Sequence, residues 1–150
     1  MTPLFAFLHH LAAFTLVAAL AVEFVLLRGE LTVTRARQIL SADRIYGISA
    51  GLIVLIGLAR VFRFEKGAAY YFHSIPFIIK LSLFAIVGLL SIYPTVQFLK
   101  WRPALQRGLM PGMADVTRRR VRMLVHLELA AVVVILLCAA LMARGVGYFG

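Results

Sequence analysis

Residues 75–99 read IPFIIKLSLFAIVGLLSIYPTVQFL, a run in which Lys80 is the only charged side chain. At ~1.5 Å of rise per residue, a helix of this length exceeds the ~30 Å hydrocarbon core of a bilayer, for which about 20 residues suffice. Three further runs share this character: Leu4 to Leu27, Ile45 to Phe62 and Val121 to Ala143. The reading that follows is all-α: a polytopic membrane four-helix bundle forming one transmembrane domain over residues 1–150, with helices at about 4–27, 45–62, 75–99 and 121–143.

Composition points the same way. The hydrophobic fraction is 63% and the mean hydropathy +0.96, against ~45–50% apolar content in a soluble domain. The four runs use most of the chain, so the loops are short and there is no room for a soluble catalytic domain. Any chemistry has to come from the bundle.

A net charge of +10 could signal nucleic acid, but the basic residues sit mainly in two loops. Arg28, Arg35, Arg37 and Arg44 lie between the first two runs. Lys100, Arg102, Arg107, Arg118, Arg119, Arg120 and Arg122 lie between the last two. The second loop has only Arg60, Arg63 and Lys66 at or near it, and the C-terminal tail has Arg144. Because cytoplasmic loops are enriched in Lys and Arg, both termini are expected to face outward. The expected partner is the lipid bilayer and not nucleic acid. The single cysteine, Cys138, lies in an apolar run and reads as a small buried residue. The first run lacks the basic flank and cleavage site of a signal peptide and is expected to remain as a helix.

Between the runs, Arg28 to Asp43 reads as a polar connection, with Ser41 to Asp43 capping the second helix. Gly47 and Gly51, four apart, read as a packing face at which helices approach closely. Phe62, Phe64, Tyr70, Tyr71 and Phe72 resemble an aromatic belt at headgroup level. Pro94 is expected to kink or loosen the last turn of the third helix.

Ionisable residues inside the runs are the candidates for function, because each costs roughly 2.5–3.5 kcal/mol on insertion scales. His9, His10 and Lys80 lie about 8–10 Å deep from the outer ends of their helices and can meet in one layer, with Arg60 and His73 nearer the surface. Towards the cytoplasm lie Glu23, Asp43, Arg44, Tyr46, Tyr93, His126 and Glu128. His9 and Glu23 are two heptads apart and share one stripe with Leu16 midway, so apolar packing separates them. His10 points about 100° from His9, which makes His9 the better interior candidate. His126 and Glu128 are two apart, and at most one of them can face the bundle axis.

These residue types fit more than one chemistry. Imidazoles from membrane helices can ligate haem iron, and Arg or Lys at the bundle mouth can pair with porphyrin propionates. The same types serve a proton relay or a quinone pocket, in which Glu23, His126 and Tyr93 could pass protons. A bundle with polar groups at both mouths also suits a small transporter, or a membrane scaffold or partner subunit. Four helices enclose little interior, so a homo-oligomer completing a site is a further expectation.

The segments Asp43-Arg-Ile-Tyr46-Gly47-Ile-Ser-Ala-Gly51, Gly57-Leu-Ala-Arg60-Val-Phe, Phe64-Glu65-Lys66-Gly67-Ala-Ala-Tyr70-Tyr71 and Gly88-Leu-Leu-Ser91-Ile-Tyr93-Pro94-Thr95, together with Lys80, carry a resemblance over nearly the whole chain. They resemble the small bacterial membrane proteins of domain of unknown function 2214, which implies a multi-pass protein of the bacterial inner membrane. A more distant likeness is to the four-helix membrane protoporphyrinogen oxidase and the copper-resistance protein D group. His9-His-Leu-Ala12-Ala-Phe-Thr15 is similar to the oxidase's helix-one histidine pattern, Arg44-Ile-Tyr46 to the opening of its helix two, and Lys80-Leu-Ser-Leu to its helix-three lysine.

That likeness implies haem b in a redox role and the possible activity of an oxidoreductase. His9 would be the axial metal ligand, and His10, Arg44, Arg60 and Lys80 would be cofactor-binding residues. Glu23, Lys80 and Tyr93 are the candidate catalytic residues. Ile78 stands where the oxidase has a histidine two residues before the lysine, so the likeness supplies no second axial ligand. His126 lies too far in depth from His9 to share an iron.

Overall fold

A computed structural model describes residues 3–59 and 73–147. The chain forms α1 (Pro3–Leu26), α2 (Val33–Ala59), α3 (Ile75–Leu99), a short α4 (Arg102–Gln106) and α5 (Asp115–Ala143). Among the described residues there are four segments long and apolar enough to cross a membrane: α1, α2, α3 with α4, and α5. Phe14, Leu89 and Leu55 are 72%, 70% and 67% exposed, as side chains are when lipid and not water surrounds them.

α1 buries a stripe of Ala12, Leu16, Ala19, Leu20 and Glu23, at helical spacing. α2 buries Ala36, Ile39, Ala42, Asp43, Tyr46 and Ser49. α5 buries Val121, Val125, Glu128, Val132 and Cys138. These stripes assemble two close pairs, α1 with α2 and α3 with α5, which meet more loosely through α1 against α5 and α2 against α3. Within the pairs the helices run antiparallel. His9 near the start of α1 lies against Gly57 near the end of α2, and the Ile75 amide at the start of α3 donates to Gly147 O beyond α5 at 3.0 Å. Gly147 has φ +79°, and a β-carbon there would stand 2.8 Å from Pro76 Cδ, so both backbone conformation and space favour glycine.

The second helix begins well before Ile45. Thr32 caps it: its hydroxyl accepts from the Arg35 amide at 3.2 Å and its carbonyl from the Ala36 amide at 2.8 Å. Asp43 is therefore mid-helix and caps nothing. The first three turns escape a hydropathy reading because they are amphipathic: Ala36 and Ile39 are fully buried while Arg37 and Gln38 are exposed. α5 likewise begins before Val121, and Arg118, Arg119 and Arg120 belong to its first turns and not to a loop.

Gly47 and Gly51 lie on an exposed face of α2, where a β-carbon would meet nothing within 4 Å, so they do not form a packing face within the bundle. The buried stripe runs through Asp43, Tyr46 and Ser49, about 100° away from them. α3 continues through Pro94 to Leu99, with Pro94 itself buried. The Phe62 to Phe72 belt lies outside the described residues.

If residues 33–44 are helical, Gln38→Pro removes an interior hydrogen bond from an exposed position and is expected to destabilise the protein by ~3 kcal/mol or more. Thermal unfolding of the detergent-purified protein measures this; an unchanged midpoint would mean that the segment is a loop.

Candidate functional site

At the end bearing the termini the two pairs leave a cavity of about 250 Å³ between them. All four long helices line it. His9 and His10 come from α1, Gly57 from α2, Lys80 and Phe84 from α3, and Val132 and Met142 from α5. The His9 ring approaches α2 where it has no side chain: a β-carbon on Gly57 would be 3.7 Å from His9 Cε1. The His10 ring stands edge-on to His9, with centroids 6.2 Å apart. His10 Nδ1 lies 2.6 Å from Ala6 O, so Nδ1–H donates to that carbonyl and Nε2 is the ring nitrogen left for another partner. A larger groove of about 680 Å³ follows the outside of α1 and α2. Arg37 is its one ionisable lining residue, and the guanidinium is committed to Leu105 O at 3.1 Å. The smaller cavity gathers the more reactive side chains.

Towards the arginine-rich end a second polar group closes the seam between the pairs. Thr95 of α3 donates through Oγ1 to Asp43 Oδ1 of α2 at 2.6 Å. The Tyr46 side chain of α2 interacts with Ser91 of α3 and Glu128 of α5. Glu23 of α1 lies within electrostatic range of Asp43 and Glu128. Glu23 and Glu128 are each 2% exposed, and one carboxyl oxygen of each has no hydrogen-bond partner.

The lining and the carboxyl cluster belong to a chain whose residues 2–147 match the profile of a family described as predicted membrane protein, DUF2214. The chain belongs to the DUF2214 family. No curated protein and no solved structure matches it.

In this DUF2214 protein the expected site residues divide between the two polar regions. His9, His10 and Lys80 line one cavity. Glu23 lies some 21 Å further along α1 in the carboxyl cluster, with buried Leu16 and Leu20 between. Arg44 is exposed on α2 and does not line the cavity. Arg60 lies outside the described residues. Tyr93 is half-buried beneath the Arg120 guanidinium, 5.7 Å from its ring centroid, and Tyr46 occupies the position among the carboxyls. His126 is exposed and packs on Phe24, with centroids 5.6 Å apart, while Glu128 faces inward.

Two cavity contributors were not singled out from sequence, and one ionisable candidate, first read as a helix cap, belongs to the carboxyl cluster. Met142 lines the cavity, and Gly57 lies against the His9 ring. Asp43 joins the cluster, and the i, i+3 spacing of Asp43 and Tyr46 was the available signal. Among the described residues there is no group of three or more His, Cys, Asp or Glu side chains able to hold a metal ion.

Thr95→Val would leave a buried Asp43 oxygen without its donor and is expected to cost about 1–3 kcal/mol. Glu23→Gln keeps the shape and removes an ionisable group from a site that desolvates charge, so it should be no less stable than the parent. Thermal unfolding at neutral pH distinguishes them; a stabilised Thr95→Val would contradict the role given to this contact.

Proposed function

We propose that this protein is a multi-pass protein of the bacterial inner membrane, both termini outward, that binds haem b or a related porphyrin between its helix pairs in a redox role. The observation that carries the reading is the meeting of His9, His10 and Lys80 in one otherwise largely apolar cavity lined by all four long helices.

The donor chemistry fits a metalloporphyrin. His9 or His10 supplies an imidazole from α1, Met142 offers a thioether from α5, and His with Met is a known axial set. Lys80 would pair with a propionate. The enclosed volume is below the ~300–1,000 Å³ of pockets that surround a drug-sized ligand, so it takes only part of a tetrapyrrole. The lining residues Val54, Leu58, Leu81 and Leu136 are 41–46% exposed, which lets the remainder lie in lipid. A bound haem would supply one-electron chemistry; the chain's part is to ligate it, neutralise its carboxylates and keep water away.

A second reading is favoured by the carboxyl cluster. Buried acids in line with an open cavity suit a small transporter or a partner subunit that takes up protons, and a quinone would use the same layout. The open faces at Gly47 and Gly51 would let a second copy approach closely.

The test is an absorption spectrum of the detergent-purified protein, oxidised and then dithionite-reduced. A Soret band and a resolved α band on reduction are expected. His9→Ala should abolish the pigment while helicity is kept, and Lys80→Met should weaken retention by about 10- to 150-fold, since a charge-assisted hydrogen bond contributes about 1.5–3 kcal/mol. Pigment retained in both His9→Ala and His10→Ala would overturn the ligand assignment. A protein still colourless after haem is supplied during expression, with solute flux altered by Glu23→Gln, would favour the second reading.

A further inference from the structure

At the arginine-rich end a separate depression of about 380 Å³ opens between the end of α1 and the start of α5. Its floor is apolar, from Phe24, Leu27 and Met123, and its rim carries Arg28, Arg119 and Arg122, with His126 beside them. Arg28 is held over the Phe24 ring, 4.2 Å from the centroid, and His126 packs on the same ring. No ion pair engages Arg28, Arg119 or Arg122 among the described residues, and no acidic side chain lines the depression.

We infer that this depression is a binding site for an anionic phospholipid, the headgroup phosphate held by the three arginines and the upper acyl chain lying on the apolar floor. Charge complementarity argues for the phosphate: three guanidiniums converge with no carboxylate to neutralise them, and basic pockets between membrane helices take phosphate-bearing headgroups. Position argues for a lipid and not a soluble anion. Arg28 lies just past the last turn of α1, whereas Phe24 and Met123 lie one level deeper, as headgroup and acyl layers do. Arg37 and Arg118 at this end are engaged by protein carbonyls, Leu105 O and Gly29 O, whereas Arg119 and Arg122 are exposed and line the depression.

The experiment is native mass spectrometry of the full-length protein in detergent, titrated with phosphatidylglycerol or phosphatidylcholine of matched chains. The parent is expected to retain phosphatidylglycerol preferentially. Arg119→Gln with Arg122→Gln should weaken that retention about fivefold per arginine, the equivalent of ~1 kcal/mol each. Arg119→Lys with Arg122→Lys should keep most of it, which separates lost charge from lost folding. Arg102→Gln with Arg107→Gln carries the same charge change on exposed residues outside the depression and should bind as the parent does. Equal loss in this distal pair, or no loss in the depression pair, would overturn the site. Displacement of the lipid by millimolar inorganic phosphate would overturn the lipid assignment in favour of a soluble anion.

Discussion

The two helix pairs are joined across their seam by buried polar contacts, and the shape of the bundle follows from where those contacts are. Lipid is as apolar as leucine, so α2 and α3 gain little from burying side chains against each other instead of against the bilayer. Contacts that do discriminate include the Thr95 to Asp43 hydrogen bond and the Tyr46 side chain between Ser91 and Glu128. Both cross from one pair to the other, and both lie in the arginine-rich half. That half is also tied on its surface, where Arg37 reaches Leu105 O and Arg118 reaches Gly29 O. The seam is therefore held by polar contacts in the arginine-rich half, and the cavity lies towards the other end.

This asymmetry gives the two polar regions different chemical characters. The cavity towards the termini has exposed apolar lining residues and carries two imidazoles and the Lys80 side chain. The arginine-rich half presents acids sealed among helices, with carboxyl oxygens of Glu23 and Glu128 left without hydrogen-bond partners. Leu16, 4% exposed, and Leu20, fully buried, lie between the regions on α1 and break any continuous polar track along that helix.

The arginines divide among several tasks. Some anchor loop carbonyls, Arg28 and Arg120 lie over the aromatic rings of Phe24 and Tyr93, and Arg119 and Arg122 remain for the bilayer surface. Guanidinium suits all three because it is planar, always charged and weakly hydrated. A concentration of charge that would suggest nucleic acid in a soluble protein has structural and interfacial work at one end of a membrane bundle.

Much of this was legible in the chain. An apolar run such as residues 75–99 must be helical in lipid because every backbone amide and carbonyl needs a partner there, so length and hydropathy alone established four spanning segments. The 3.6-residue period placed His9, Leu16 and Glu23 on one stripe, because helical phase is local. Hydropathy failed where helices leave the apolar layer. The first turns of α2 and α5 carry charge, and the packed pair Ala36 with Ile39 and the Arg118 amide donating to Ala114 O reveal them as helix. Partner choice was not legible either: Tyr46 and not Tyr93 stands among the carboxyls, Met142 joins the histidines, and Gly47 and Gly51 face outward. Each of these depends on the rotation of one helix against another, which short-range sequence spacing does not specify and the interhelical polar contacts decide.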